Sequence, residues 1–378
     1  MLKTDPVIVD YNAMTPYGEG IDVCWRGLMN NRTSITDIER FDAGHFISNK
    51  AATIKTVTFG NEKSLVWQML ERLKKNINNE IPQDADLLLA SLNGEIEFIE
   101  RELLTDNDCS QESRLDLLLA KTQDLFRLKG TGMVISAACA SSSIAIAKAA
   151  SMITSGQSSC VLVLACDCVS EFIISGFSAL MALDKHCARP FDIKRAGLNI
   201  GEAAGYLLMM SQERAEKEGR KTAGKVRGWG MSCDANHMTG PSTDGEGLFL
   251  AIKQALDRGG VPSEKIRSIC AHGTGTVYND AMEITAYKRI FSERVCPTYS
   301  IKGGIGHTMG AAGLMDILVV LETIKNAVLP PTVGVKEIAK EAVGWVKKKK
   351  VCLHNDVVLS TNSGFGGINS ALIIETCT

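Results

Sequence analysis

Val134-Ile135-Ser136-Ala137-Ala138-Cys139-Ala140-Ser141-Ser142-Ser143 decides how the rest of this chain is read. A short apolar run gives way here to a long run of Ala, Ile and Ser. The pattern predicts a strand over 133–138, a sharp turn, and a small-residue helix over 140–155, with the Cys139 thiol at the helix start. The first N–H groups of a helix have no intrahelical partner and carry partial positive charge, so a thiolate is expected to be stabilised there. The thiolate is the nucleophilic form of cysteine. Taken alone, Cys139 reads rather as a small buried hydrophobe, and other residues are needed to make it a candidate nucleophile.

Three further stretches supply them. The first is Ala271-His272-Gly273-Thr274-Gly275-Thr276, with Asp280 and Glu283 just beyond. The second is Lys302-Gly303-Gly304-Ile305-Gly306-His307, followed by Gly310-Ala311-Ala312-Gly313. The third, Asn362-Ser363-Gly364-Phe365-Gly366-Gly367, is a flexible turn with one aromatic at its centre. The chain has six histidines, and two of them directly follow apolar strands inside glycine-rich turns. That is where α/β proteins place groups that face a ligand. His237 and Glu283 read as support for the fold rather than as chemistry.

At 378 residues the chain has room for one large core or two fused domains. With 45% hydrophobic and 22% charged residues it has the balance of a soluble globular protein. A net charge of −2 lacks the basic excess of a nucleic-acid binder. Neither a signal-like start nor an apolar run of membrane-spanning length is present in the sequence, which predicts a cytoplasmic protein with no membrane span. The twelve cysteines are irregularly spaced, and Cys160, Cys166, Cys168, Cys187, Cys233 and Cys270 form no paired ligand spacing, so reduced thiols and no metal are expected.

Strands are expected at 7–9, 133–138, 160–165, 269–271, 297–301, 357–360 and 371–374, and helices at 140–155, 280–290 and 310–328. Their alternation implies α/β layers. Two similar passages meet near Glu213 to Lys225, which divides the chain into 1–222 and 223–378. A polar, helix-rich region covers about 61–130, with Leu103, Leu104 and the Leu115 to Leu119 run expected on buried faces.

These stretches, with Arg189-Pro190-Phe191-Asp192, Gly201-Glu202-Ala203-Ala204-Gly205 and Asp234-Ala235-Asn236-His237-Met238-Thr239, resemble the β-ketoacyl-acyl carrier protein synthases, the elongating condensing enzymes of the thiolase superfamily. The resemblance runs over nearly the whole chain. It implies a thiolase-like fold, two similar βαβαβ halves in a five-layer α-β-α-β-α arrangement. It also implies an acyltransferase that joins an acyl thioester to malonyl-acyl carrier protein with loss of CO2. Cys139 matches the family nucleophile, and the backbone amides of Cys139 and Phe365 match its oxyanion hole. His272 and His307 match the pair that stabilises the enolate, Lys302 a lysine that orders the site, and Thr274 and Thr276 the hydroxyls that bind the pantetheine arm. Phe365, within Gly364, Gly366 and Gly367, matches a gating aromatic. No cofactor is implied beyond the 4′-phosphopantetheine that arrives on the acyl carrier protein. A homodimer is implied, with a heterodimer left open.

The sequence departs from the family in several places. Asp316 stands where the partner of Lys302 is usually a glutamate. Asp10 to Met14 replaces a glycine-rich turn after the first strand, and Ala90-Ser91-Leu92-Asn93-Gly94 replaces another glycine-rich segment. Ile305 and Ile368 stand where threonine is frequent, and His272 to Thr276 leans toward polyketide-type synthases. Product chain length therefore stays open, as does fatty-acid against polyketide synthesis. A catalytically silent, chain-length-determining partner of a heterodimer is the alternative, opposed by Cys139 and both histidines. A degradative thiolase is opposed by His307, where thiolases carry a second cysteine. The acyl carrier protein is acidic, so a local basic patch is expected at Arg189, Lys194 and Arg195; Lys347 to Lys350 reads as a solvated loop.

Overall fold

The computed structural model describes residues 4–60, 62–77, 79–105, 110–354 and 356–377. Ten strands carry the fold: β1 Pro6–Thr15, β2 Asp86–Ala90, β3 Gly132–Ile135, β4 Cys160–Asp167, β5 Ala203–Ser211, β6 Gly224–Cys233, β7 Ser268–Cys270, β8 Thr298–Tyr299, β9 Val357–Gly364 and β10 Ile368–Glu375. The helices that cover them are α1 Leu65–Lys75, α2 Leu115–Phe126, α3 Ser141–Thr154, α4 Glu171–Ala179, α5 Glu246–Gly259, α6 Val277–Phe291 and α7 Ala312–Asn326.

The strands run in two sets with the same order. The first is β3-β2-β4-β5-β1 and the second β8-β7-β9-β10-β6. In each set the fourth strand in this order, β5 or β10, is antiparallel to both of its neighbours, and the other pairings within the set are parallel. The two sets meet at β1 and β6 through only Val7–Lys225 and Ile8–Gly224, so a single sheet path runs through both.

Three apolar cores explain the layering. One lies under α1 and α2 against the first set of strands, and another joins α5 and α6 to the second. The largest holds α3 and α7 between the two sets. The expected five layers follow: helices, strands, the α3–α7 pair, strands, helices. Strands β4 and β5 are buried throughout, which is why they read as continuous apolar runs instead of alternating ones.

Helices α3 and α7 can lie this close because their facing residues are small. A Cβ on Gly313 would stand 2.7 Å from the Ser143 backbone nitrogen, and Ser142 Oγ accepts the Leu314 N–H at 2.9 Å.

Several expectations need correction. The first strand does not stop at Val9 but continues to Thr15, with a register shift between Ile8 and Asp10. The region over 61–130 is not only a helical cover, since it contains the buried strand β2, which lies between β3 and β4 in the first set. Leu103 is 80% exposed, and Leu117 is exposed as well; Leu118 is the residue of its run that enters the core. The side chain of Leu104 lies outside the described residues. Among the described residues no helix is long and apolar enough to cross a membrane.

Gly313→Ala should force the central helices apart and destabilise the protein by about 1–3 kcal/mol, read as a lower urea midpoint. An unchanged midpoint would mean that the crossing relaxes freely.

Candidate active site

Cys139 follows β3 through a tight turn in which Ala138 adopts φ 47°, a left-handed conformation unfavourable for a residue with a Cβ. The Ser141 hydroxyl locks the turn, accepting the Ala137 N–H at 2.8 Å and donating to the Ala138 carbonyl at 2.6 Å. Helix α3 starts at Ser141 with Ala140 as its N-cap, so Cys139 stands one residue before the cap.

His272 leaves the end of β7 and His307 follows a short helical turn, Lys302–Ile305. The Cys139 sulfur and one ring nitrogen of each histidine lie within 4.8 Å of one another, and all three residues are buried. The imidazoles meet edge to face with centroids 5.2 Å apart. Among the described residues these three donors are also the group close enough together to hold a metal ion.

The loop carrying His272 hangs on two buried carboxylates. Glu283 accepts the His272 N–H at 2.8 Å and the Gly273 N–H at 2.6 Å, and also receives Asn279, Tyr287 and Thr361. Asp280 accepts the N–H groups of Thr274 at 3.1 Å, Gly275 at 3.2 Å and Phe191 at 2.7 Å. Burial pushes the Glu283 carboxyl up to about 7, with nearby Asp280 adding to the rise. Five donors on one buried side chain give Glu283 the supporting position anticipated for it.

Charge in the site is arranged around Lys302, which is 2% exposed and 3.3 Å from Asp316. Burial raises the Asp316 carboxyl, and the ammonium and Asn362 pull it back. Burial drives His272 well below the ordinary imidazole range and His307 down to about 3, with Lys302 acting in the same direction on both. Both rings are therefore neutral near pH 7. The Met309 N–H donates to His307 Nδ1 at 3.0 Å, so the proton of that ring sits on Nε2.

The thiol corrects the expectation of a stabilised thiolate. Burial pushes Cys139 up to about 11, against the opposing pull of Lys302 and of a Phe365 backbone hydrogen bond. Desolvation outweighs the helix start because the thiol stands before the cap and only 6% of the residue is exposed.

The triad lies in the wall of a cavity of ≈ 480 Å³ that Thr274, Thr276 and Phe365 also line. The hydroxyls of Thr274 and Thr276 are 2.9 Å apart. Gly364 comes so near the nucleophile turn that a Cβ there would stand 3.0 Å from the Cys139 nitrogen. The Phe365 ring stacks on Phe177 with centroids 5.7 Å apart. His237, assigned above to support, does accept the Thr239 and Gly240 N–H groups, yet it is exposed and lines the cavity too.

The expected basic patch is not intact. Arg195 is 8% exposed and tied to Glu341 at 2.7 Å and Asp280 at 3.8 Å. Its guanidinium braces the loop beneath Thr276 and is withdrawn from the surface, while Lys194 stays exposed. Lys348, Lys349 and Lys350 are exposed, as a solvated loop requires.

Asp167 was missed. Buried at the end of β4, it accepts from Ser91, Leu92, Asn93 and Gly310, tying the segment after β2 to the one after His307. A carboxylate closing a fully apolar strand was the available signal.

The comparisons with known proteins place the fold and family. Residues 120–215 match the β-ketoacyl synthase N-terminal domain and residues 223–336 the C-terminal domain. A 3-oxoacyl-[acyl-carrier-protein] synthase 2 of Vibrio cholerae is 27% identical over 99% of this chain and 100% of its own. The ketoacyl synthase alpha subunit of the tetracenomycin polyketide synthase from Streptomyces glaucescens is 28% identical over 97% of this chain and 96% of its own. The solved ishigamide ketosynthase/chain length factor superposes with a TM-score of 0.91 at 25% identity, covering all of both chains. The chain belongs to the β-ketoacyl synthase family, whose relatives are condensing acyltransferases, and it shares their fold.

With its thiol at about 11, Cys139 should react with iodoacetamide about tenfold faster for each unit of pH from 7 to 10. Intact mass against time gives the rates. A plateau near pH 7 would place the thiol much lower.

Proposed function

We propose that this protein is a 3-oxoacyl-acyl carrier protein synthase acting in fatty-acid or polyketide synthesis. The observation that carries the reading is the meeting of one buried thiol with two neutral imidazoles in the wall of a single cavity. In the first half-reaction Cys139 attacks the carbonyl of an acyl thioester. The C–S bond to pantetheine breaks, and the thiol proton leaves with the pantetheine sulfur. The backbone N–H groups of Cys139 and Phe365 are the proposed donors to the oxyanion. Thr274 and Thr276 would hold the arm.

In the second half-reaction a malonyl thioester takes the vacated arm site. Its C–C bond to the carboxylate breaks, CO2 leaves, and the electron pair becomes an enolate on the thioester. Neutral imidazoles suit this step, because N–H donors at His272 and His307 stabilise the enolate oxygen without protonating the carbon that must react. The carbon then attacks the acyl group on Cys139, and the sulfur departs and takes up one proton. Lys302, held by Asp316, sets the local potential. The sum is acyl-carrier protein plus malonyl-carrier protein plus one proton, giving 3-oxoacyl-carrier protein, free carrier thiol and CO2.

The acyl carrier protein is the proposed partner, in a cytosolic setting compatible with eleven free thiols among the described residues. A homodimer is also proposed. Among the described residues strand β3 has a neighbour on one side only, and Met133 on it is 44% exposed, which suits pairing with a second copy.

Incubation with acyl-carrier protein should give a single acyl adduct by intact mass, lost in Cys139→Ala. His272→Ala and His307→Ala should slow malonyl decarboxylation about 100-fold or more. No adduct from any acyl donor would favour the silent-partner alternative.

A further inference from the structure

His307 owes its tautomer to the backbone, through the Met309 N–H on Nδ1. Among the described residues no backbone N–H donates to the His272 ring; its own N–H and that of Gly273 both go to Glu283. What faces its Nδ1 is a side chain, Asn362, 1% exposed near the end of β9. Asn362 Nδ2 lies 2.7 Å from Asp316 Oδ2, and the Lys302 ammonium lies 3.3 Å from the same oxygen. A carboxylate paired with a lysine only accepts, so the amide must turn its NH2 toward it. That fixes the flip of Asn362 and leaves the second hydrogen of the same nitrogen for His272 Nδ1, at 3.4 Å.

We infer that Asn362 is a positioning residue that holds His272 in the tautomer protonated on Nε2, by donating from one amide nitrogen to both Asp316 and His272 Nδ1. The 3.4 Å separation is within hydrogen-bond reach. The chain Lys302–Asp316–Asn362–His272 thereby links the site's ammonium to its first imidazole through an uncharged amide. The inference deepens the proposed function and rests on it for the role of the Nε2 proton, which is to meet the enolate oxygen.

The test is 15N NMR of the histidine rings in the full chain, with the His272 signals assigned by their loss in His272→Gln. The unsubstituted protein should show His272 protonated on Nε2 near pH 7. Asn362→Leu, close in volume and unable to donate, should shift the ring toward Nδ1 protonation. It should also lower the ratio of malonyl decarboxylation to Cys139 acylation about 10- to 100-fold. A merely structural role would slow both half-reactions together. Nδ1 protonation in the unsubstituted protein, or an unchanged tautomer and ratio in Asn362→Leu, would overturn the inference. If Asn362→Leu does not fold, the spectrum of the unsubstituted protein still decides the point. If that protein turns over no thioester, the proposed function fails while the tautomer remains readable.

Discussion

The crossing of two central helices governs this protein. Helix α3 begins just after Cys139, and α7 begins shortly after His307. Each therefore brings its N-terminal end, and the loop before it, to the middle of the molecule. The two meet where Gly313 lies against Ser143, and Ser142 accepts a hydrogen bond from the first turn of the other helix. A larger residue at either place would separate the helices and, with them, the thiol from the imidazole. The site thus depends on the absence of side-chain volume some distance from the chemistry.

Around that crossing, each half contributes a different kind of group. The first supplies Cys139 and, through Asp167 at the end of β4, a clamp on the Gly310 segment. The second supplies both histidines, Lys302 and the glycine-rich turn at Phe365. The two halves share the same strand order. Burial then adjusts the groups. It keeps both imidazoles neutral, and the ion pair of Lys302 with Asp316 places one compensated charge among them.

Much of this was legible before the structure. The strand–turn–helix around Cys139 and the two histidine turns stood out because glycine and small residues punctuate apolar runs sharply. The resemblance carried the layer arrangement. What could not be read depended on contacts distant in sequence. Strand β2 was hidden because its short apolar run, Leu87 to Ala90, sits inside a polar, helix-rich region. Arg195 looked available because its partner Glu341 is far along the chain. The shift of the Cys139 thiol was misread because helix position is visible in a sequence, whereas the depth of desolvation is not. Asn362 was quoted only as part of a flexible turn, since its importance comes from Asp316 and His272 on other elements.

The deep thiol has one more consequence, concerning survival rather than turnover. Peroxides attack thiolates, and sulfur with little thiolate character and little exposure is oxidised slowly. Between cycles Cys139 rests protonated, enclosed and shielded by the Phe365 loop. A condensing enzyme built this way holds Cys139 in a form that oxidants attack slowly.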